Sequence, residues 1–273
     1  SLGMSDETHN ESEAQDTWDP PLPVPVPSED RIWGRDGTVQ PVSWSRYAST
    51  FPFLVALKRS GKYGKYHFCG GSLIRETHVL SAAHCFYQNG GWTVNVDDIE
   101  VWWGHGNNEW ISSKVDLVVI PSLFTGRYSR GGWDHDVAVL RLSRRFSGAR
   151  VARLSHRSSY SVGSEAVIAG WGTVNEAMTI IRTDKLQEGK KSIASASHCR
   201  KYDSNFQSQK MICTTSWRSG VGSGDSGGPL LQYGYQIGIC SHASRFLGYS
   251  FYDAFTRVSS FTGWIAGVLS EHP

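Results

Sequence analysis

Ser226 stands in the stretch Gly222-Ser223-Gly224-Asp225-Ser226-Gly227-Gly228-Pro229-Leu230. Glycines and a proline at that density bend the backbone tightly and let it approach other groups closely. A serine hydroxyl is a weak nucleophile at neutral pH and needs a base held against it. Glycines around it leave backbone N–H groups free to face a developing oxyanion. The plainer reading of such a cluster is a polar turn between two strands. Two further segments could complete the chemistry: Leu80-Ser81-Ala82-Ala83-His84-Cys85 and Asp134-His135-Asp136-Val137-Ala138-Val139-Leu140-Arg141-Leu142. A histidine titrates near neutrality and can carry a proton from serine to a leaving group. An aspartate beside it would fix the imidazole's tautomer and stabilise its charged form.

The order of these residues discriminates between frameworks. Gly224-Asp225-Ser226-Gly227-Gly228 also fits the G-x-S-x-G pattern of α/β-hydrolases, but those enzymes place acid and histidine after the serine. Only His242 and His272 follow Ser226 here. The upstream order His84, Asp136, Ser226 joins with Phe68-Cys69-Gly70-Gly71-Ser72-Leu73-Ile74 and Ala169-Gly170-Trp171-Gly172. Together these motifs resemble the chymotrypsin/trypsin family of serine proteases over about Ile32 to Val268. Asp136, rather than Asp134, immediately precedes the apolar strand as in the family's motif.

The resemblance implies an all-β fold: two six-stranded antiparallel Greek-key β-barrels with a C-terminal α-helix. It implies a catalytic triad of His84, Asp136 and Ser226, an oxyanion hole from the N–H groups of Gly224 and Ser226, and Ser241 hydrogen-bonded to the buried aspartate. It pairs Cys69 with Cys85 and Cys199 with Cys213, leaving Cys240 as a buried thiol in an apolar strand. Loops of that length give roughly 3 kcal/mol of chain-entropy stabilisation each, and two bridges point to an oxidising, extracytoplasmic compartment. Activation is expected by cleavage after Arg31. The freed Ile32 ammonium would then pair with Asp225 and shape the turn that carries Gly224. The family's Ile-Val-Gly-Gly reads Ile32-Trp33-Gly34-Arg35 here. An ammonium that gains such a partner has its pKa raised above roughly 7.7–8, so its contribution is present below that range and fades as pH rises through the raised value.

The substrate pocket departs from the pattern. Trypsin-like members carry an aspartate six residues before the nucleophile, where this chain has Gly220. Both halves of the family's pocket-bracing disulfide are missing, one of them at Gly222, and the wall Ser-Trp-Gly reads Ser241-His242-Ala243. Aligning Phe255-Thr256-Arg257-Val258 places Asp253 on the opposite wall. For the residue before the cut bond (P1), a basic one received by Asp253 is the leading reading, and a large apolar one is the alternative. Alternatively, Asp253 faces water in a displaced loop. No metal is expected: no C-x-x-C pair exists, His135 between two acids lacks a third spaced ligand, and Gly104-His105-Gly106-Asn107-Asn108-Glu109 is too poor in acids for the family's calcium loop. No cofactor is expected. His67, His78, His105, His156 and His242 read as surface or loop residues.

The chain's 273 residues suffice for one large or two small cores. Its 29 glycines, 11 tryptophans and lack of long amphipathic runs favour β-structure. No stretch approaches the roughly 18 apolar residues of a membrane span, and the polar start at Ser1 is read as following a removed signal. Residues 1–31 hold eight acids against one base, while the whole chain carries +2. They are expected to form an acidic propeptide, with Asn10-Glu11-Ser12 as a glycosylation sequon and a stiff spacer at 20–27, where five of the ten prolines lie.

Residues 32–145 are expected to form the first barrel, carrying His84 and Asp136. Residues 146–273 are expected to form the second, carrying Ser226 and the closing helix. Strand-like runs are Phe53–Leu57, Tyr66–Ile74, Thr77–Ser81, Ile99–Trp103, Val115–Ile120, Val137–Leu142, Ala166–Ala169, Lys185–Ser192, Met211–Thr214, Pro229–Gln232, Tyr235–Ser241 and Ser250–Val258. Ser259 is expected to cap the helix, with Phe261, Trp264, Ile265 and Val268 on one side. Arg144, Arg145, Arg150, Arg153 and Arg157 read as a solvated connector rather than a polyanion site. The expected protein is a secreted serine endopeptidase acting on proteins or peptides. Its partners are an activating protease and proteinaceous inhibitors, without nucleic acid or a membrane span. A second reading on the same fold is a non-catalytic homologue acting as a binding protein.

Overall fold

A computed structural model describes residues 39–105, 109–128, 133–172, 174–176, 179–181, 185–215, 220–246 and 249–273. The expected propeptide and the activation residues Arg31 and Ile32 lie outside these.

Thirteen strands carry the architecture. A short β1 (Val39–Pro41) leads to β2 (Leu54–Gly61), β3 (Gly64–Arg75), β4 (His78–Ser81), β5 (Ile99–His105), β6 (Glu109–Val119) and β7 (Ala138–Leu142). The second set is β8 (Glu165–Gly170), β9 (Gln187–Ile193), β10 (Met211–Thr215), β11 (Pro229–Gln232), β12 (Tyr235–Phe246) and β13 (Tyr249–Arg257). The first six after β1 close into an antiparallel barrel in the order β2-β3-β4-β7-β6-β5. The next six run β9-β8-β11-β12-β13-β10 and close because Ser192 and Ile193 pair with Thr215 and Thr214. In each barrel the fourth strand returns beside the first, which is Greek-key order. Strand ends fall within a few residues of the expected runs, except that β6 begins six residues before Val115 and β12 runs five beyond Ser241.

Burial explains the strands. Leu54, Val55, Ala56 and Leu57 at the start of β2 are buried as one continuous apolar run, and all four residues of β4 are buried, with apolar Val79 and Leu80 between His78 and Ser81. One core joins Leu57, Leu73, Val79, Leu80, Val101 and Leu140 of the first barrel to Leu231 and Ile239 of the second. The chain's ends also cross between barrels. β1 pairs with β9, so Val39–Pro41 extends the second barrel although it precedes the first. The closing helix α3 (Thr262–Glu271) buries Ile265 and Val268 in the shared core, and its Leu269 carbonyl accepts a hydrogen bond from Arg75 of β3.

Two helical details differ from expectation. α3 has Phe261 at its N-cap, with no side-chain cap, because Ser259 is taken up in a 3-10 turn at Val258–Ser260. Two short helices lacked a long enough apolar period to be seen: α1 (Trp44–Thr50), capped by Ser43, and α2 (Ala196–Cys199), capped by Ser195. The arginine run is tied down locally: Arg144 donates to the Ser112 carbonyl, Arg145 pairs with Glu76, and Arg153 lies over the Tyr235 ring.

Candidate active site

The register of one strand pair brings His84 and Asp136 together. β4 and β7 run antiparallel with Ser81 opposite Ala138. The chain leaves β4 three residues before His84 and enters β7 two residues after Asp136, so both side chains emerge at one end of the first barrel. There Asp136 is buried, and one carboxylate oxygen accepts from the His84 backbone N–H at 2.8 Å while the other lies 2.7 Å from His84 Nδ1. Burial opposes ionisation of Asp136. The His84 charge and the hydrogen bonds from His84 and Ser241 outweigh it and hold the carboxyl below the ordinary range. Trp133 stacks on the imidazole with ring centroids 5.6 Å apart and planes 8° apart.

The second barrel supplies the serine. Ser226 lies three residues before β11, in a turn closed by Asp225 N–H to the Gly222 carbonyl and Gly228 N–H to the Asp225 carbonyl. Cys240 of β12 anchors this turn through backbone bonds to Gly227 and Gly228, and its thiol is buried and unbridged. Burial pushes that thiol well above its ordinary range, so it is an inert part of the wall. The Ser226 carbonyl accepts from Gly70 N–H of β3 at 2.7 Å, which ties the serine turn to the first barrel. Ser241 follows Cys240 and donates to Asp136 at 2.6 Å, while Thr256 of β13 donates to the Asp136 carbonyl at 2.7 Å. The site therefore sits where the barrels meet, with groups from both on one carboxylate.

Asp225 accounts for the Ala169-Gly170-Trp171-Gly172 motif. Its carboxylate accepts from Gly172 N–H at 2.8 Å and from Gly222 N–H at 2.6 Å. A Cβ at either Gly170 or Gly172 would overlap that carboxylate. Gly224 takes φ +99°, a region glycine reaches without strain. Among the described residues, neither its N–H nor that of Ser226 carries a hydrogen bond, leaving both donors available to a developing oxyanion. His67, expected at the surface, is half-buried, with Nε2 2.9 Å from the Gly224 carbonyl.

The pocket residues fall differently. Gly220 is exposed, Ala243 is half-buried and faces Asp253 across β12 and β13, and Asp253 is fully buried rather than facing water. Its carboxylate forms an ion pair with Lys191 of β9, both side chains being 0% exposed. Lys191 was missed because Gln187-Glu188-Gly189-Lys190-Lys191 looks like a solvated run, although its alternation turns Lys191 inward. Asp134 is half-exposed, near Lys210, and does not touch His84.

Two other histidines also correct the surface reading. His78 is buried, bonded to Thr77 and the His272 carbonyl, and burial lowers its pKa. His242 is 8% exposed and faces Ser241 on one side and Asp203 on the other. The disulfides Cys69–Cys85 and Cys199–Cys213 are formed, with Cα atoms 6.4 and 6.1 Å apart. Among the described residues no helix is long and apolar enough to cross a membrane.

Known proteins resemble the chain over the same span. The family model "Trypsin" matches residues 44–265. "Serine protease SP24D" of Anopheles gambiae is 34% identical over 225 residues, covering 81% of this chain and 78% of that protein. "Trypsin alpha" of Drosophila melanogaster is 28% identical over 228 residues, covering 82% and 84%. "Trypsin" of Sus scrofa is 29% identical over 252 residues, covering 91% and 100%.

Proposed function

The chain belongs to the trypsin family of serine endopeptidases, and we propose that His84, Asp136 and Ser226 are its catalytic triad. His84 takes the Ser226 proton as Oγ attacks a peptide carbonyl. The tetrahedral oxyanion is held by the N–H groups of Gly224 and Ser226, each worth roughly 3–4 kcal/mol. His84 then passes the proton to the leaving amine, and water repeats the sequence on the acyl-enzyme. The carrying observation is the buried Asp136 carboxylate, which grips both the backbone and Nδ1 of His84. Ser226 Oγ carries no hydrogen bond among the described residues; its bond to His84 forms as substrate docks, since such contacts tighten in the Michaelis complex. Mass spectrometry of a fluorophosphonate adduct on Ser226 tests the assignment, with Ser226→Ala as control.

The enzyme is made as a zymogen, secreted, and activated by cleavage after Arg31, Ile32 then pairing with Asp225. Proteins or peptides are its substrates, and proteinaceous inhibitors engage the same cleft. Lys191 bears on the P1 preference. A basic side chain would bring a second cation to a carboxylate already neutralised by a buried lysine, leaving one positive charge without a partner. This supports an uncharged P1 residue, the apolar alternative, over a basic one.

A further inference from the structure

Behind the triad lies a second histidine–carboxylate pair that the mechanism above does not use. Asp203 follows α2 and is 0% exposed; its position is fixed by the Cys199–Cys213 bridge and by its N–H bond to the Cys199 carbonyl. One carboxylate oxygen accepts from Asn205 N–H at 2.8 Å. The other accepts from the Tyr252 hydroxyl at 3.0 Å and lies 3.2 Å from His242 Nε2. On the far side of that ring, His242 Nδ1 is 3.1 Å from Ser241 Oγ, which donates to Asp136. An unbroken chain of polar contacts therefore runs from Tyr252 and Asp203 through His242 and Ser241 to Asp136 and His84.

The hydrogen bonds along the chain constrain which groups donate and which accept. Burial opposes ionisation of Asp203, but bonds from His242, Asn205 and Tyr252 prevail and keep it below the ordinary carboxyl range. An ionised Asp203 only accepts, so His242 Nε2 must carry a hydrogen. The Ser241 hydrogen is committed to Asp136, so Ser241 Oγ can only accept from Nδ1, which must carry a hydrogen as well. A neutral imidazole has one hydrogen and leaves either Ser241 or Asp203 facing a lone pair.

We propose that His242, held by Asp203 at Nε2, is a positioning residue for the catalytic acid: it donates through Nδ1 to Ser241 and thereby locks the Ser241 hydroxyl on Asp136. The inference rests on the reading of Asp136 as a triad member. The groups facing His242 are Asp203 beyond α2, Tyr252 and Ala254 on β13, Ser241 on β12 and the Tyr128 ring. Among the described residues no other cation pairs with Asp203. Without a hydrogen on Nδ1, the Ser241 hydroxyl would be shared between Asp136 and Nδ1, and the catalytic acid would be held less firmly.

The test is the pH profile of kcat and kcat/KM for the activated chain and its variants. Asp203→Asn keeps an acceptor for Tyr252 but removes the counter-charge. It should change the shape of the kcat–pH profile and reduce kcat roughly 5–10-fold, with KM little changed. His242→Asn offers an amide N–H near the Nδ1 position, so it should retain more activity than His242→Ala and lack the added pH dependence. Superimposable normalised profiles for wild type and Asp203→Asn, or equal losses in His242→Asn and His242→Ala, would overturn the proposal. Should the variants not fold, 15N NMR of wild-type His242 at pH 6.5 decides it: two N–H-type nitrogens support it, and one N–H with one bare nitrogen sinks it. Fluorophosphonate labelling of Ser226 separates the two readings. A labelled enzyme with an unshifted profile defeats only this proposal, and wild type that neither labels nor cleaves defeats the triad assignment with it.

Discussion

Ser241 Oγ of the second barrel lies 2.6 Å from a carboxylate oxygen of Asp136, which the first barrel supplies. That bond makes the site a property of barrel association rather than of either barrel alone. A hydrogen bond to a buried charge is worth roughly 1.5–3 kcal/mol, so Ser241→Ala should lower kcat roughly 10–100-fold with less change in KM. Asp136→Asn should cost roughly 10⁴-fold in kcat, as is typical when the acid of such a triad no longer sets the histidine tautomer. Steady-state kinetics on a peptide substrate measures both.

The glycines of the Ala169–Gly172 motif are expected to be intolerant for a reason local to Asp225. Gly172→Ala inserts a methyl group where the Asp225 carboxylate lies. Displacement of that carboxylate should destabilise the fold by roughly 1–3 kcal/mol and reduce Ser226 labelling. Thermal denaturation and labelling rate on the same sample check the two effects. Gly163→Ala is a useful comparison: open space surrounds it, and any cost comes from its φ of +84° alone.

Substrate choice should follow the Lys191–Asp253 pair. Wild type should cleave peptides with uncharged P1 residues at least tenfold faster, by kcat/KM, than matched Lys or Arg peptides. Lys191→Met should uncover the carboxylate and narrow or reverse that ratio. A wild-type preference for P1 arginine would count against the neutralised pocket.

Acid stability carries a sign fixed by the depressed groups. Asp136 and Asp203 titrate below their unfolded range, so their stabilisation is full above about pH 4 and is lost as pH falls through the folded values. His78 is buried and also depressed, by burial first of all, so its contribution is present above about pH 6.5 and declines below. Tm should fall gently from pH 6.5 and steeply below pH 4, and His78→Gln should remove most of the gentle step.

Much of this was legible in the chain. Runs such as Leu54–Leu57 and Val137–Leu140 combine apolar continuity with β-branched residues and short length, which specifies buried strands. Five ordered motifs placed His84, Asp136, Ser226 and Gly224 by resemblance. Contacts made by tertiary packing alone were not legible. Asp203 and His242 lie far apart in sequence and carry no local signal, and Lys191 sits among charged neighbours. His67 gave no sign of reaching Gly224. The short helix α1 has a single buried residue, Tyr47, too little to register as a helical period.

The most direct measurement treats the chain with a fluorophosphonate before and after controlled tryptic cleavage at Arg31, and locates the adduct by mass spectrometry. The account predicts an adduct on Ser226 after cleavage, little or none before it, and none in Ser226→Ala. Correctly folded protein, verified by circular dichroism, that remains unlabelled after cleavage would contradict the triad.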